Sequence, residues 1–576
     1  MVNRWIEAKS VAIVRAVGSE NALGNGSLPW GINWGNPIDA LKLIPESLRS
    51  GRQRYSFNYA KLLRMSVLVR SRQGRISNQI SQSSHLNTRI SVVVLVVVYL
   101  LLALTFSLLT RAYEDDDEQA HTQYIEYVVR NDSIPHISTV NLQESHQPPL
   151  YYLLAAGWQE LLHIPAFTPV VVREHNKDPF IPNRLMLSHD YTATQHREAV
   201  YLHELRLLSV LFGLGTVLLT YAGAKVIGMR ESVALAAGLF VALLPRELVV
   251  STSVTNDALV IPLCAAALVL YLLAERARVA KRLGHRRLYI FGMGLALGAA
   301  ATTKFNSLPL AAVLLLLTFV PSIRLPHRTS NQLALSTQPA PGRLESDAVS
   351  GSEEIMTGAS NSPLNGKVRQ PPVDLRMLID AGIAVAGFFA VSGWWFVRNK
   401  HLYGQFLATK ASENYLLAFF LHPVPWNAHL LFRVFPQTFF ISMWYSQPNL
   451  FLPTWANQVL AVFGLLCLAT GVWIFLARRQ WVAQGLSRLS ALAILGCVAS
   501  GPVAVLVTIK STSIGDARVA FIGLSAFALV AVVSASRLAR LTNPRLERIG
   551  LMAWPTVLLA ADLYVIVHIL VPLGGL

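Results

Sequence analysis

The chain has 576 residues, of which only 14% are charged while 53% are hydrophobic. Soluble domains carry about 25% charged residues, so this composition excludes a soluble globular protein. The 49 Lys and Arg exceed the 32 Asp and Glu and give a formal charge of +17. In a helical membrane protein such an excess falls on cytoplasmic loops, so we expect no nucleic acid partner.

Residues 1–89 are basic and rich in Ser, Asn and Gly, and they lack the apolar core and cleavage site of a signal peptide. We predict that they form a largely disordered cytoplasmic extension. Adhesion to anionic lipid headgroups through arginines such as Arg49, Arg64 and Arg75 is the alternative. The Cys residues all fall within apolar runs, so neither a disulfide framework nor a zinc motif is predicted.

Apolar runs of about 20 residues, the length that crosses a bilayer as a helix, recur along the rest of the chain. They predict an all-α membrane protein, a polytopic bundle of about eleven transmembrane helices. The predicted spans are 90–110, 205–226, 232–250, 257–275, 288–304, 306–322, 377–397, 456–478, 489–508, 518–536 and 550–571. A further segment, 149–163, is apolar but too short to cross comfortably.

Charge decides how segment 149–163 lies. If it does not cross, the basic N-terminus and every dense basic loop share the cytoplasmic side, whereas a crossing would move the later basic loops outside. We therefore predict an interfacial helix on the outer surface, with the N-terminus cytoplasmic and the C-terminus extracytoplasmic. The expected location is the cell (plasma) membrane.

The same parity divides the chain into regions with different roles. The predicted regions are the extension 1–89, an N-terminal transmembrane module 90–322, a disordered cytoplasmic linker 323–376 and a C-terminal transmembrane module 377–576. A first outer loop is predicted at 111–204, and a second outer loop follows at 399–455. Long outer loops rich in Trp, Tyr, His and Pro are where function is expected.

A run of consecutive carboxylates follows the first span: Glu114, Asp115, Asp116, Asp117 and Glu118. Side by side at a membrane surface they repel one another, so they need protons, cations or full solvation. If the segment is helical, Asp117, His121 and Tyr124 share one face, which suits a metal ion or a substrate hydroxyl. A hydrated acidic collar is the alternative, and for a charge run alone it is the commoner case.

Charged residues also stand at the outer ends of other spans. Asp257 opens the fourth span, where a cap and a functional role are about equally favoured. Lys304, Arg398 and Arg518 are cations on the side that the charge rule keeps poor in them. Anion binding is one interpretation of each. Snorkelling of a long side chain is the commoner explanation for any one of them.

Two strings carry a family resemblance: D-E-x-A-H-x-x-Y, beginning at Asp117, and E-x-H-Q-P-P-L-Y-Y, beginning at Glu144. They resemble the first extracytoplasmic loop of GT-C glycosyltransferases, which use polyprenol-phosphate sugars and include protein O-mannosyltransferases and the bacterial aminoarabinose transferase. The resemblance continues at 206–217, 253–257, 303–304 and 394–404. The sequence departs from the family pattern in Gln119, in the acids upstream of Asp117 and in the turn 515–518, which only loosely matches Gly-Arg-Tyr.

The resemblance implies a catalytic pair, Asp117 and Glu118, a surface helix after the Pro-Pro step and a second large outer loop. It identifies the chain as similar to a hexosyl- or pentosyltransferase that moves a sugar from a polyprenyl-phosphate donor to a saccharide, lipid or protein acceptor. Asp117 suits the base that takes the proton of the acceptor hydroxyl. Lys304, Arg398 or Arg518 suit the cations that stabilise the departing phosphate.

The remaining candidate ligands complete the predicted site. The residues expected to bind substrate are His121, Tyr124, His146, Gln147, Asp257, Lys304, Arg398 and Arg518. Glu144 and His121 are the candidate ligands of a divalent metal ion, the one cofactor that the pattern leaves room for. Membrane lipids are the other expected partners.

Two other classes of protein remain open. A transporter or lipid flippase also uses charges within helices, but it concentrates polar residues near the bilayer midplane, whereas here they stand at the outer ends of spans. An assembly factor whose outer loops merely bind a partner has no need of a carboxylate cluster beside a surface helix.

Overall fold

The computed structural model describes residues 87–113, 117–137, 142–169, 173–175, 185–187, 193–320, 375–412, 425–444, 454–476, 487–512 and 516–571. The predicted extension 1–89 and linker 323–376 therefore lie almost wholly outside the described residues, as do Glu114, Asp115 and Asp116. The described part belongs to one compact unit, Leu86–Leu576. The division of that unit into two transmembrane modules stays a prediction.

Helices make up nearly all of the described regular structure. They are α1 (Asn87–Leu109), α2 (Glu118–Asn131), α3 (Leu150–Leu161), α4 (Ala193–Val226), α5 (Glu231–Ala242), α6 (Pro245–Ser251), α7 (Asp257–Val279), α8 (Leu283–Ala301), α9 (Leu308–Phe319), α10 (Leu375–Tyr403), α11 (Phe435–Trp444), α12 (Thr454–Leu476), α13 (Arg488–Thr512), α14 (Leu524–Thr542) and α15 (Glu547–Val565). Two short strands, β1 (Arg173–His175) and β2 (Leu185–Leu187), pair antiparallel between α3 and α4.

Seven helices of the described part are long and apolar enough to cross a membrane: α1, α4, α7, α10, α13, α14 and α15, the last two with their flanking turns. They coincide with seven of the predicted spans, and the prediction of a multi-pass, all-α membrane protein is confirmed. The bent pair α5 and α6 makes an eighth if it is one span. The span predicted at 288–304 falls largely on α8. The shorter apolar helical segments are Phe305–Phe319, which includes α9, and Gln458–Trp473, within α12. The count of eleven stays a prediction.

The bend between α5 and α6 measures 63° and has a local cause. Pro245 stands in the first turn of α6, where its missing N–H and fixed φ cannot continue the preceding helix. Every residue of the short α6 is buried, including Arg246 and Glu247. The break therefore places two charged side chains inside the protein.

Close backbone contact joins α8 to α10. A Cβ at Gly294 would lie 2.2 Å from the carbonyl oxygen of Ala384, and a Cβ at Gly298 would lie 2.3 Å from that of Phe388. Only glycine permits this approach. The contact holds the C-terminal half of α8 against Ala384 and Phe388 of α10.

The segment 149–163 forms a helix with two different faces. Tyr151, Tyr152 and Gln159 of α3 are buried, and α3 packs against α2. The backbone N–H of Leu150 donates to the carbonyl of Thr302 at 2.9 Å, which ties α3 to the end of α8. The opposite face exposes Leu153, Leu154, Leu161 and Leu162. An uncovered leucine face fits the interfacial helix predicted from the charge pattern.

Candidate active site

Four residues predicted from the sequence, far apart along the chain, meet at one end of the bundle. Asp117 precedes α2, Asp257 opens α7 and Lys304 follows α8. Arg518 lies in a 3-10 turn, Ala517–Gly523, that leads into α14. We call these four residues the charge cluster.

Direct contacts connect the members of the charge cluster. A carboxylate oxygen of Asp117 accepts a hydrogen bond from Nη2 of Arg518. Both carboxylate oxygens of Asp257 accept from Nζ of Lys304 at 2.8 Å, and Oδ2 of Asp257 lies 3.6 Å from Nε of Arg518. Arg518 is therefore shared between two predicted carboxylates.

One side of the charge cluster is open. The side chain of Asp117 is 29% exposed, and those of Lys304 and Arg518 are 15% and 14% exposed. Asp257 is only 1% exposed and lies behind them. A ligand that enters the cluster would meet Asp117 and Arg518 before Asp257.

The Asp117 carboxylate does not cap its own helix, α2. Asp117 occupies the N-cap position of α2, yet its side chain makes no capping hydrogen bond, although Asp commonly caps in this way. Burial acts to raise the pKa of Asp117, but the Arg518 guanidinium, together with Lys304, outweighs it and holds the pKa below its ordinary value. Asp117 is therefore ionised at neutral pH and turned toward the cluster.

Asp257 does not cap α7. The N-cap position belongs to Asn256, and Asp257 is the first residue of the helix. Its carboxylate is directed to Lys304 instead. The interpretation of Asp257 as a simple cap therefore does not account for where its charge lies.

His121 is buried on the same helix as Glu118. Its Nδ1 lies 2.8 Å from the hydroxyl of Tyr152, and its Nε2 lies 3.3 Å from Oγ1 of Thr255. Burial lowers the pKa of His121, although the charges of Glu144 and Asp117 act in the opposite direction. In Glu144, which is an acid, burial raises the pKa. Both groups are thus shifted toward their neutral forms.

The predicted metal ligands do not form a ligand set. In the described part of the chain, no group of three or more His, Cys, Asp or Glu is arranged to hold a metal ion. Both ring nitrogens of His121 face hydroxyl groups, and Asp117 is bonded to Arg518. The contacts of the described residues therefore do not match a metal-binding site.

Glu118, the other half of the predicted catalytic pair, has a different environment from Asp117. It is fully buried and receives Nε and Nη2 of Arg206 at 2.8 and 2.6 Å. The backbone N–H groups of Tyr113 and Val254 donate to it at 3.0 and 2.9 Å. Four donors occupy its oxygens, so the geometry favours a structural role.

Arg206, which pairs with Glu118, also contacts the end of α1. Its guanidinium donates to the carbonyl oxygens of Ser107, Thr110 and Arg111 at 3.1, 2.7 and 2.8 Å. Together, Arg206 and Glu118 connect α1, α2, α4 and the turn before α7. They set the position of Asp117 through the backbone.

The second predicted string lies against the turn before α7. The Nε2 of Gln147 is 3.1 Å from Nε2 of His146, and Nδ2 of Asn256 donates to Oε1 of Gln147 at 3.3 Å. Burial lowers the pKa of His146 to about 4. Tyr124 is buried, and its ring stacks on that of Tyr152 with centroids 3.7 Å apart. These residues line the region beside the cluster.

Arg398 lies elsewhere. Its Nη2 donates to the carbonyl oxygens of Ile134 and Pro135, both at 3.2 Å, and its guanidinium lies over the ring of Trp395 at 4.9 Å. It lines a cavity of about 740 Å³ together with Asp132, His136, Glu160 and His401. The described contacts bring Arg398 to this cavity and to none of the four members of the charge cluster.

Sequence reasoning missed two buried arginines and one aspartate. Arg206 and Arg246 stand inside apolar runs, and charged residues within a span are a functional signal by themselves. Asp516 caps the turn 517–523 through the N–H of Arg518, at 2.9 Å, and accepts a hydrogen bond from Nη2 of Arg246. The spacing of Asp516 before Arg518 is typical of an N-cap and was available from the sequence.

Comparison with known families gives a match to part of the chain. Residues 190–337 match the dolichyl-phosphate-mannose-protein mannosyltransferase family. This match confirms the resemblance to GT-C glycosyltransferases noted in the sequence. No curated protein matches the chain.

Several solved structures match the chain over part of its length. The oligosaccharyltransferase of Archaeoglobus fulgidus is 15% identical, with a TM-score of 0.43 over 84% of this chain and 56% of that one; it has also been solved with Zn and sulfate. The protein O-mannosyltransferase Pmt1-Pmt2 complex of S. cerevisiae, bound to the sugar donor, is 15% identical, with a TM-score of 0.31 over 54% and 34%. ArnT from Cupriavidus metallidurans, bound to undecaprenyl phosphate, is 14% identical, with a TM-score of 0.41 over 84% and 73%. The chain spans little more than half the length of the archaeal enzyme.

Proposed function

We propose that this protein is a membrane glycosyltransferase that moves a sugar from a polyprenyl-phosphate donor to an acceptor on the extracytoplasmic face. One observation carries the proposal. Asp117, ionised and partly exposed, shares Arg518 with the Asp257–Lys304 pair. A base and two cations within one open cluster are what sugar transfer from a phosphate requires. The family match at 190–337 supports the same function.

The chemistry assigns a role to each member of the charge cluster. The acceptor hydroxyl oxygen forms a bond to the anomeric carbon while its proton passes to the Asp117 carboxylate. The bond between the anomeric carbon and the phosphate oxygen breaks, and the lipid phosphate leaves with its electron pair. Arg518 and Lys304 stabilise the negative charge on that oxygen, and Asp257 positions Lys304.

The neighbouring residues of the first loop are proposed to bind the substrates. His121, Tyr124, His146 and Gln147 present ring and amide groups beside Asp117, and a neutral His121 is suited to orient a hydroxyl. Glu118 is proposed to support Asp117 through Arg206 rather than to react. The transferred sugar is proposed to be a hexose or a pentose, and the acceptor a saccharide, a lipid or a protein.

The proposed orientation places the charge cluster outside the plasma membrane, with the N-terminus inside and the C-terminus outside. The test is a cysteine introduced at Ser188, in the first outer loop. The native Cys264, Cys467 and Cys497 are buried, so background labelling is low. Reaction with an impermeant thiol reagent in intact cells is expected. Reaction only after the membrane is broken would reverse the orientation.

Transfer itself is tested with membranes that contain the protein and radiolabelled polyprenyl-phosphate sugars. We expect label to pass from the donor into a saccharide, lipid or protein fraction. Membranes with Asp117→Asn are the matched control and should show background transfer. Movement of labelled lipid across the membrane without sugar transfer would instead favour a flippase.

Metal dependence is tested separately with His121→Ala. Recovery of transfer on addition of a divalent cation would show that an ion can replace what the imidazole does. A loss that no cation reverses fits an orienting role for His121.

A further inference from the structure

Arg518 stands between the proposed base and the rest of the charge cluster. Its Nη2 donates to Asp117, and its Nε lies 3.6 Å from Asp257 and 3.5 Å from Asp516. The guanidinium that should meet the phosphate is thus already bound to the carboxylate that should take the proton. A carboxylate bonded to a guanidinium is a weak base, since its negative charge is compensated.

Hydrogen bonds fix the backbone at Arg518. Its N–H donates to Asp516, and the N–H of Ala517 donates to Oγ of Ser442 at 2.7 Å. Asp516 also pairs with Arg246, which is 2% exposed. Nε and Nη1 of Arg246 find no hydrogen-bond partner in the described part of the chain. A buried cation of this kind keeps its carboxylate, because leaving a buried charge without its partner is strongly unfavourable. The turn stays in place, so an exchange of partners at Arg518 involves its side chain and not its backbone.

The exposure of the cluster decides which partner an incoming anion can displace. Asp117 and Arg518 are both partly exposed, whereas Asp257 is sealed behind Lys304. Arginine binds phosphate through charge-assisted hydrogen bonds of the same kind that it forms with a carboxylate. A lipid phosphate that reaches the cluster therefore meets the Asp117–Arg518 pair first.

We propose that Asp117 and the lipid phosphate of the donor compete for Arg518, so that binding of the donor releases the base. This inference rests on the proposed function and assigns to Arg518 two successive partners. Without donor, Arg518 holds Asp117 in a paired state. With donor bound, Arg518 and Lys304 face the phosphate, and Asp117 is left to accept the proton of the acceptor hydroxyl. Productive binding is then ordered, with the donor before the acceptor.

The test is a double-mutant cycle on the affinity of the purified full-length protein for undecaprenyl phosphate, used as the probe without any acceptor. Asp117→Asn removes the competitor and should tighten binding about two- to fivefold, the effect of breaking one partly exposed ion pair. Arg518→Gln should weaken binding. In the Arg518→Gln background, Asp117→Asn should have no further effect, since there is no guanidinium left to release.

Three results would overturn the inference in different ways. Unchanged affinity in Asp117→Asn shows that there is no competition, and it leaves the proposed function standing. Equal tightening in both backgrounds shows simple repulsion between Asp117 and the phosphate. Absence of binding by the unmodified protein removes both the inference and the proposed function.

Two controls keep the result independent of folding. Arg518→Lys retains the charge and should give a smaller tightening with Asp117→Asn than the native arginine does, so the cycle can be completed even if Arg518→Gln does not fold. Asp132→Asn removes a carboxylate from the cavity beside Arg398 and should leave the coupling between Asp117 and Arg518 unchanged. A matching gain of affinity in Asp132→Asn would show that the effect of Asp117→Asn comes from the change in net charge and not from the release of Arg518.

Discussion

Two carboxylate–arginine pairs begin at neighbouring residues, and they differ in almost everything except their chemistry. Glu118 and Arg206 are both fully buried, and every oxygen of Glu118 is occupied. Asp117 and Arg518 are partly exposed, and Arg518 also approaches Asp257 and Asp516. We call the fully buried Glu118–Arg206 the closed pair and the partly exposed Asp117–Arg518 the open pair. Their carboxylates belong to adjacent residues.

Burial gives these two carboxylates different roles, although they are the same functional group. A carboxylate that already accepts four hydrogen bonds has no place for a substrate proton, and its pairing with arginine fastens helices together. A carboxylate with one guanidinium and an open side keeps a position for a reacting group. The first kind of pair is expected to govern stability and the second to govern reactivity.

The largest expected effect comes from breaking the closed pair. Arg206→Met leaves Glu118 buried without its cation, which should lower the free energy of unfolding by about 3–5 kcal/mol. The measurement is thermal unfolding of the detergent-solubilised protein. Arg230→Gln is the control, because Arg230 is 69% exposed in its pair with Glu547 and should cost about 0–1 kcal/mol. Equal losses in the two variants would remove the structural role of the closed pair.

The next effect concerns the open pair. Asp117→Asn keeps the shape of the side chain but removes the base, so transfer should fall about 10²-fold or more while affinity for the lipid phosphate is not reduced. The measurement is kcat/KM with a labelled donor. Asp115→Asn, two residues away in the same acidic run, should be tolerated. Similar small losses of transfer in both variants would favour the alternative that the acidic run is a hydrated collar.

Asp257 should give a smaller loss. Asp257→Asn leaves the N-cap of α7 untouched, since that position belongs to Asn256, but it takes the counter-charge from Lys304. We expect about a tenfold fall in transfer, because Lys304 is less well positioned for the departing phosphate. The amount of folded protein, measured by size-exclusion chromatography, should be nearly unchanged. Full activity would return Asp257 to a structural role.

The smallest expected effect is on the pH dependence of stability, at His146. Burial lowers the pKa of His146 from its ordinary 6.5 to about 4. Between these values the unfolded chain binds the proton more readily, so stability falls as the pH drops from 6.5 toward 4. His146→Gln should make this fall shallower. The comparison is the Tm at pH 5 relative to pH 7, and an identical slope in both proteins would show that His146 does not contribute.

Much of the architecture was determined by the sequence, because the properties involved are local. A run of apolar residues long enough to cross a bilayer is visible in any window of the chain, and seven of the predicted spans coincide with suitable helices. The distribution of Lys and Arg predicted that segment 149–163 lies at the outer surface; this placement stays a prediction, and α3 has an exposed leucine face. The string beginning at Asp117 also marked a stretch of chain whose first residue lies in the charge cluster.

Only the tertiary structure decided which of two adjacent acids is open to a substrate. The partner of Glu118 lies 88 residues away, and the partner of Asp117 lies 401 residues away. Neither pairing has a periodicity or a spacing that local sequence could express. Arg398 and Arg518 look alike as single cations at the ends of spans, yet the packing sends one to a separate cavity and the other to the charge cluster. Burial and partner choice depend on how distant helices pack, since the cost of burying a charge is set by every group around it.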